Sequence, residues 1–528
     1  MGNRLTYLLI VPFLIFMYFF TYNYISKEVP LYPCDYVEQN IFLHDFSELL
    51  KNNFPEFLKN ISHDIYNYNR NPFAIIFLLP FAFILKDFRA GFIFSVELVY
   101  MLPVMLLIWY IFNNFFYKTK EKLSCKSSIL LFLSSIFFFP AIWYSVISGM
   151  PDICGMIPVL ICYCLYFKYE FNKKINFKIL LLSAFLLYLS FLSRRWYSVV
   201  IVSFMSAIVI ENLLISFKNN NKIKEFLYTI RNLGFISVFF CIFAYFIQGG
   251  YFRNIFQNEL AERALYLVQF NQLNIIVEHI GLFVCIIAFI GLIFNLNNKL
   301  VRFSFLNILI YLFMFITVMN NQFLWINHFA YIAVLICILF CAGLYSAAKF
   351  LKFKILSNIF VFFIILFNIF NFYTFFLIEK PRQVKFLLPE TTAYPMQFKD
   401  YDKVLELYNY LENEYNKNNN IEVALYGLCD KIGYWQFRSI NPDSEFAKKA
   451  IKFERITDED FKDASYNEDF VILFDPPGIY FSDEFSQEIR KINRMFKQNK
   501  GIAQNYKKVK EIKLRDDNKT KVTLYKRK

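Results

Sequence analysis

Long apolar blocks separated by short polar loops occupy the first 378 residues of the chain. A bilayer core of about 30 Å needs roughly 20 helical residues, with about 17 as the lower limit. Eleven blocks reach or approach that length, near residues 5–25, 92–117, 127–147, 153–169, 178–193, 196–215, 232–248, 276–296, 303–319, 329–347 and 354–378. The pattern predicts an α-helical polytopic membrane protein with about eleven transmembrane helices.

A further apolar block, Asn71–Leu85, is too short to be counted with the others. At about 1.5 Å per residue it reaches roughly 22 Å, and Pro80 would break or kink it. We predict a short re-entrant or juxtamembrane helix here. Residues 26–91 then form one large first outer loop that contains this helix.

Basic residues test the topology, because Lys and Arg concentrate in cytoplasmic loops. They fill alternate loops, as Lys118, Lys120, Lys122, Lys126, then Lys168, Lys173, Lys174, Lys178, then Lys218, Lys222, Lys224, Arg231, then Lys299, Arg302, and then Lys349, Lys352, Lys354. The intervening loops and the C-terminal domain are therefore predicted to be extracytoplasmic, and the N-terminus cytoplasmic. In the alternative topology Asn71–Leu85 spans, the N-terminus is outside and residues 26–70 are cytoplasmic; Arg4 before the first helix favours the former.

The composition becomes that of an ordinary soluble protein after residue 378. Short buried strands, "IEVALYGL" and "DFVILFD", alternate with amphipathic helical segments, and "VKEIKL" with "KVTLYK" reads as a closing hairpin. Strand and helix alternation of this kind favours a small α/β sandwich. We predict two domains: a transmembrane domain at 1–378 and an extracytoplasmic α/β domain at 379–528.

Composition and charge narrow the class further. Hydrophobic residues make up 57% of the chain, above the roughly 45–50% of soluble domains. The net charge of +14 is carried largely by the alternate loops, which favours a topology signal over nucleic-acid binding. The ten Cys form no CxxC pair and no His/Cys metal spacing, so we predict no zinc site.

Polar residues gather on the predicted outer face. They form five groups: Asp35, Glu38, His44 and Asp45 after the first helix; His63, Asp64 and Arg70 before Pro72; Asp152; Arg194 with Arg195; and Asn320, Asn321, Gln322, Trp325, Asn327 and His328. Ionisable residues are scarce at the centres of the spans, where an ion-coupled transporter would place them. The five groups together predict a pocket at the outer membrane surface.

Each group also has a simpler interpretation. Asp152 follows a proline at the start of a helix, where an acid stabilises the helix dipole. Arg194 and Arg195 could anchor in lipid headgroups, although paired cations are disfavoured in a short outer loop. Trp325 and His328 fit an interfacial aromatic belt equally well. These alternatives stay open at the level of the sequence.

The predicted pocket suits sugar transfer from a polyprenyl phosphate. Guanidinium groups match phosphate geometry, so Arg194 and Arg195 could neutralise the charge that develops on the leaving group. An acceptor hydroxyl loses a proton as it attacks the sugar, and a positioned carboxylate can take that proton. Asp35 and Asp152 are the candidate catalytic acids, and the candidate substrate-binding residues are Glu38, Arg70, Arg194, Arg195 and His328.

Several segments resemble a known family in their order along the chain. Asp35 follows the first helix, and "NRNPFAIIFLLPF" is similar to a surface segment entering the membrane. "SGMPDICGMIPVLICYCLY" is similar to a Pro-Asp step after the third span, and "LSRRWYSVVIV" to a short loop into a later span. Over roughly residues 1–350 the chain resembles the membrane GT-C glycosyltransferases, especially bacterial relatives of protein O-mannosyltransferases and of lipid A aminoarabinose transferase.

The resemblance implies an integral membrane glycosyltransferase of the bacterial cytoplasmic membrane that uses a polyprenyl-phosphate-linked sugar. The acceptor would be an envelope glycan, lipid or protein on the outer face. The chain departs from the family at the Asp-Glu pair, since Tyr36 and Val37 separate Asp35 from Glu38, and at the segment Asn69–Pro72. No Asp-x-Asp surrounds Asp152, so no metal ligands are assigned and a divalent metal is left open. The alternatives are a flippase for a lipid-linked glycan precursor or a non-catalytic envelope-assembly protein.

Overall fold

The structure is a computed structural model of the whole chain. The residues it describes are 2–32, 34–68, 72–85, 88–116, 126–217, 223–257, 272–318, 326–351, 354–379, 388–418, 421–426, 432–452, 468–476, 483–515 and 519–528. Arg70, and the predicted polar residues at 320–325, lie outside them.

Most of the described residues up to Leu377 are helical. They are α1 Gly2–Ile25, α2 Cys34–Asn52, α3 Phe54–Asn67, α4 Phe73–Ile76, α5 Leu79–Ile84, α6 Phe88–Val96, α7 Leu102–Ile111, α8 Lys126–Phe137, α9 Pro140–Ile147, α10 Met156–Tyr169, α11 Phe177–Ser193, α12 Tyr197–Phe217, α13 Ile223–Gln257, α14 Gln272–Ile280, α15 Leu282–Phe294, α16 Lys299–Val318, α17 Ile326–Phe350 and α18 Lys354–Leu377. A π-helical turn, Glu97–Met101, joins α6 to α7, and a second, Phe112–Phe116, follows α7. A 3-10 turn, Pro151–Gly155, precedes α10.

Seven helical stretches among the described residues are long and apolar enough to cross a membrane: Phe88–Phe116, Pro151–Tyr169, Tyr197–Leu214, Ile223–Arg253, Lys299–Thr317, His328–Phe350 and Ile355–Leu377. Shorter apolar stretches are Ile10–Ile25, Leu131–Ile147, Phe177–Ser193 and Leu282–Phe294. Each of the predicted apolar blocks overlaps one of these stretches. The protein is therefore a mainly helical, multi-pass membrane protein, while eleven crossings stay a prediction.

The short apolar block at 71–85 does not form a single helix. It folds as α4, with four residues, and α5, with six residues and Pro80 in its first turn. Proline is tolerated there because the first amide groups of a helix have no intrahelical acceptor. Six helical residues span only about 9 Å, which agrees with the prediction of a short helix that does not cross the bilayer.

Close backbone contact holds α15 against α17. A Cβ atom added at Gly343 would overlap the carbonyl group of Ile287, and one added at Gly291 would lie 2.5 Å from the Gly343 nitrogen. Small residues of this kind allow transmembrane helices to approach closely. The contact fixes α17, the helix that carries His328 near its first turn.

The C-terminal region is a five-stranded mixed sheet with helices on both faces. Its strands are β1 Val423–Tyr426, β2 Ile451–Lys452, β3 Phe470–Asp475, β4 Tyr506–Lys513 and β5 Lys521–Arg527, in the order β2-β1-β3-β5-β4. Its helices are α19 Tyr401–Asn418, α20 Tyr434–Ile440, α21 Glu445–Lys449 and α22 Asp483–Gln498. The predicted strands, hairpin and two long helices are present; α20, α21 and β2 were not predicted.

Alternating side chains of the central strands supply the two cores of this region, as the period of two in a strand requires. Val423, Leu425, Phe470 and Ile472 pack with α19 on one face. Val471 and Leu473 pack with Ile492 and Phe496 of α22 on the other face. The predicted α/β sandwich is therefore observed.

The chain divides into two compact units that do not follow one cut in the sequence. One unit comprises Met1–Ser26, Phe46–Asn258 and Val268–Pro395, and the other includes Lys27–Asp45 together with Met396–Lys528. Leu31 belongs to the hydrophobic core of the C-terminal sheet. The beginning of the first loop is thus part of the C-terminal unit.

Candidate functional site

The turn that carries Asp152 is an interruption between two helices, and its backbone geometry explains its sequence. Gly149 has a positive φ of 90°, a conformation that L side chains rarely adopt. Met150 is extended, the conformation favoured before a proline. Pro151 then starts the 3-10 turn, with Asp152 in its first turn.

Asp152 is completely buried and its carboxylate is paired. The Arg194 Nε lies 3.0 Å from Oδ1, and its side chain is 18% exposed against 0% for Asp152. The Trp196 Nε1 donates to the same oxygen at 3.1 Å. A carboxylate removed from water in this way requires both a counter-charge and hydrogen bonds, and the sequence "DICG" with "RRW" supplies them across two helix ends.

Tyr197 fixes the backbone of the same turn. Its hydroxyl donates to the Asp152 carbonyl at 2.8 Å, and its ring stacks on Trp196 with centroids 4.1 Å apart. The ring lies so close to Gly155 that an added Cβ would fall 2.5 Å from it. Glycine at 155 is therefore required for this contact. We call Asp152, Arg194, Trp196 and Tyr197 the Asp152 cluster.

His328 lies beside the Asp152 cluster. Its ring meets Trp196 edge to face with centroids 5.3 Å apart, and its carbonyl accepts from the Tyr311 hydroxyl at 3.0 Å. Three predicted site residues, Asp152, Arg194 and His328, are thus connected through Trp196, a residue the sequence argument quoted but did not assign.

The two adjacent arginines have different partners. Arg194 is directed at Asp152, whereas Arg195 is exposed and forms a hydrogen bond with the Tyr251 side chain. Helix α11 ends at Ser193, and the backbone of Arg194 is extended. This change of backbone direction separates the two neighbouring side chains.

Asp35 and Glu38 lie in α2, within the part that belongs to the C-terminal unit. Glu38 is buried, with 5% of its surface exposed, and so are its neighbours Gln39 and Asn40. The early acids therefore sit on a well-packed helix rather than in an irregular loop, and Asp35 occupies the first turn of that helix.

Arg89 is a buried cation that the sequence argument missed. It is 4% exposed, and its Nη2 donates to the Ser148 carbonyl at 3.0 Å. It thereby supports the turn that leads into Pro151 and Asp152. A single arginine next to an apolar block gave no signal in the sequence, because its partner is 59 residues away.

A second buried carboxylate–arginine pair lies further along the same helices. The Arg302 Nη2 is 2.8 Å from Oε1 of Glu211, and the Tyr166 hydroxyl donates to Oε2 at 2.7 Å. Glu211 is 1% exposed and the Arg302 side chain 33%. We call Glu211, Arg302 and Tyr166 the Glu211 cluster. A third span carboxylate, Glu97, accepts from the Thr21 hydroxyl at 2.6 Å.

Metal-ligand geometry is not found in the part of the chain that the structure describes, where no three His, Cys, Asp or Glu side chains come together. The carboxylate of Asp152 is directed at a guanidinium and an indole. The contacts of Asp152 among the described residues are therefore those of a carboxylate paired with a cation and a hydrogen-bond donor.

No protein-family model matches the sequence, and no curated protein matches it either. Solved structures do match. ArnT from Cupriavidus metallidurans in the apo state gives a TM-score of 0.50 at 9% identity, over 99% of this chain and 98% of that one. ArnT bound to undecaprenyl phosphate gives 0.49 at 9% identity, over 98% and 97%.

The archaeal oligosaccharyltransferase AglB from Archaeoglobus fulgidus, in complex with an inhibitory peptide and a dolichol-phosphate, gives a TM-score of 0.47 at 10% identity. That match covers 88% of this chain and 69% of that one. ArnT, a lipid A aminoarabinose transferase, is a member of the GT-C superfamily. At 9% identity the match to apo ArnT shows the fold alone: the chain has the fold of that structure, and the resemblance seen in the sequence is confirmed at the level of the fold.

Proposed function

We propose that the protein is an integral membrane glycosyltransferase that moves a sugar from a polyprenyl-phosphate donor to an envelope acceptor on the outer face of the membrane. The observation that carries the proposal is the buried Asp152–Arg194 pair, set on an interrupted backbone in a chain with the GT-C fold. Buried charge on irregular backbone in a membrane protein marks a functional site by default.

The proposed chemistry is a single displacement. The acceptor hydroxyl oxygen forms a bond to C1 of the sugar, and the bond from C1 to the phosphate oxygen breaks. The polyprenyl phosphate leaves with the electron pair, and a carboxylate takes the hydroxyl proton. Arg194 and Arg195 stabilise the negative charge that grows on the phosphate.

We assign the two acids different roles within this scheme. Asp35 is proposed as the base. Asp152 has no exposed surface and already holds Arg194, so its contribution is to orient that guanidinium toward the phosphate. Glu38, Arg70 and His328 are proposed to complete substrate binding.

The proposed orientation follows from the basic loops. The N-terminus and the Glu211 cluster are cytoplasmic, while the Asp152 turn and the domain at 379–528 are extracytoplasmic. The proposed location is the bacterial cytoplasmic membrane. Thiol labelling of a Ser148→Cys variant in intact cells tests this orientation, and labelling from the cytoplasmic side alone would overturn it.

The decisive experiment supplies membranes containing the protein with polyprenyl-phosphate-linked sugars and measures transfer to endogenous acceptors. Asp35→Asn and Asp152→Asn should each abolish transfer at unchanged protein level. Full activity in both variants would show that the proposed site is wrong. Movement of the intact lipid-linked sugar across the membrane without transfer would instead support a flippase.

A further inference from the structure

The C-terminal α/β unit contacts the segment that contains α2, and these contacts suggest its role. We propose that this unit is a positioning module for the first-loop helix α2, and that Arg438 is the positioning residue that fixes it. The inference rests on the proposed function in one respect only, because α2 carries Asp35, the proposed base.

The backbone of the segment before Asp35 is held by three hydrogen bonds with residues 396–439. Val29 donates its amide to the Met396 carbonyl at 2.9 Å. The Ser439 hydroxyl donates to the Pro30 carbonyl at 3.2 Å, and the side-chain amide of Gln436 donates to the Tyr32 carbonyl at 3.1 Å. Gln436 and Ser439 lie on the same helix, α20, so side chains of one short helix hydrogen-bond to the segment just before α2.

The segment after Asp35 is held by the same short helix. Arg438, which lies between Gln436 and Ser439, is 2% exposed and its Nη2 is 2.6 Å from Oδ1 of Asp45. Its Nη1 donates to the Tyr434 hydroxyl at 2.9 Å. The ring of Trp435 meets Phe42 edge to face with centroids 5.7 Å apart.

The charges agree with this arrangement. Burial alone would raise the pKa of Asp45, but hydrogen bonds from His44 and Arg438 outweigh it and leave that pKa below its ordinary value. His44 also lies 3.3 Å from Asp443, which follows α20. Asp45 is therefore ionised at neutral pH, and it forms a charged hydrogen bond with Arg438 that anchors α2.

Anchors on both sides of Asp35 have a consequence for catalysis. Between them, Val37 and Ile41 of α2 are buried at 0% and 1% exposure, so the helix cannot slide or rotate without breaking packed contacts. A general base must keep its position to within about 0.5 Å, and a shift of about 1 Å can cost 10²-fold in rate. The module supplies that constraint from residues about 400 positions away in sequence.

The test uses the full-length protein in lipid nanodiscs, with two readouts. Amide hydrogen exchange of residues 36–45 measures the anchoring, and transfer from a polyprenyl-phosphate-linked sugar measures its effect on chemistry. The variants are Arg438→Gln, Arg438→Lys and Tyr434→Phe. Lys449→Gln is the matched control, because it removes an exposed ion pair to Glu445 on the neighbouring α21.

We expect Arg438→Gln to speed exchange at 36–45 at least tenfold while β3 and β5 keep their protection. The kcat should fall at least tenfold, because the base moves. The KM for the donor should change less than kcat, because Glu38 is the one proposed substrate-binding residue that lies on α2. Arg438→Lys should restore part of the protection at 36–45 and part of the kcat. Lys449→Gln should change neither the exchange rate nor the kcat. If Arg438→Gln unfolds the sheet, Tyr434→Phe decides, with a smaller change of the same sign in both readouts.

Two results would overturn the inference. One is unchanged exchange at 36–45 when the Arg438 contacts are lost. The other is faster exchange in α2 with undiminished kcat in a protein that does transfer sugar. If the wild-type protein transfers no sugar at all, the proposed function fails, and the exchange data still decide whether the module anchors α2.

Discussion

Two buried carboxylate–arginine pairs sit at opposite ends of the same two helical segments. Asp152 lies just before α10, and Tyr166 lies about 14 residues further along that segment. In the same way, Tyr197 begins α12 and Glu211 lies about 14 residues further along it. Fourteen helical residues correspond to about 20 Å. Each pair adds one aromatic hydrogen-bond donor to the carboxylate, Trp196 in one case and Tyr166 in the other.

The clusters differ in the backbone beneath them. The Glu211 cluster joins three regular helices, α10, α12 and α16, and its contacts are those that hold helices together in a membrane. The Asp152 cluster needs a left-handed glycine, a 3-10 turn and a glycine that admits the Tyr197 ring. Both clusters contain a carboxylate–arginine pair, so the interrupted backbone is the feature on which we base the proposed site.

The largest expected effect is at the Asp152 cluster. Arg194→Gln and Asp152→Asn should each lower transfer at least 100-fold, a size typical of losing one preorganised charge-stabilising group. Asp152→Asn keeps the shape and an acceptor for Trp196, but Arg194 loses its counter-charge, so the free energy of unfolding should fall by about 1–3 kcal/mol. Transfer is therefore compared per folded protein. Initial rates at saturating donor provide the measurement.

Glu211→Gln is the matched control for that prediction, because it makes the same change, from a buried carboxylate to an amide, opposite a half-buried arginine. Transfer per folded protein should stay within about threefold of wild type. Equal losses in the two variants would mean that charge burial in general, and not the interrupted turn, determines activity.

The second effect concerns the support of the turn. Arg89→Gln should lower transfer about tenfold, because the donor to the Ser148 carbonyl is lost and the turn before Asp152 loosens. Arg89→Lys keeps the charge and one donor, so it should recover part of the loss. A stability change without any activity change would assign Arg89 to packing alone.

These comparisons also show what the sequence could and could not predict. Apolar length and proline positions predicted the helical blocks and one short helix at 71–85, since both follow from local physics; the division of that segment into α4 and α5 was not predicted. Asp152 and Arg194 were predicted as site residues, but their direct pairing was not. Contacts such as Arg89–Ser148 and Arg438–Asp45 join residues 59 and 393 positions apart, and nothing local in one sequence records them.

A third prediction concerns stability and not transfer. Glu211→Gln should lower the free energy of unfolding by about 1–3 kcal/mol, because the half-buried Arg302 loses its counter-charge. Thermal unfolding in detergent measures it. A double variant, Glu211→Gln with Arg302→Gln, should recover part of the loss by removing the unpaired cation; a further loss in the double variant would contradict the ion-pair explanation.

The smallest expected effect is at the rim of the Glu211 cluster. Lys299 places its ammonium over the Tyr166 ring, 4.4 Å from the centroid, and near Phe167 at 5.6 Å. Lys299→Gln should cost about 0.5–1 kcal/mol of stability and leave transfer unchanged, measured in the same assays. A loss of transfer as large as that of Arg89→Gln would place the Glu211 end in the reaction and remove the distinction between the two clusters. An unchanged rate of transfer would strengthen the distinction between the two clusters. Lys299 would then stabilise helix packing, whereas Arg89 would support the turn that the reaction needs.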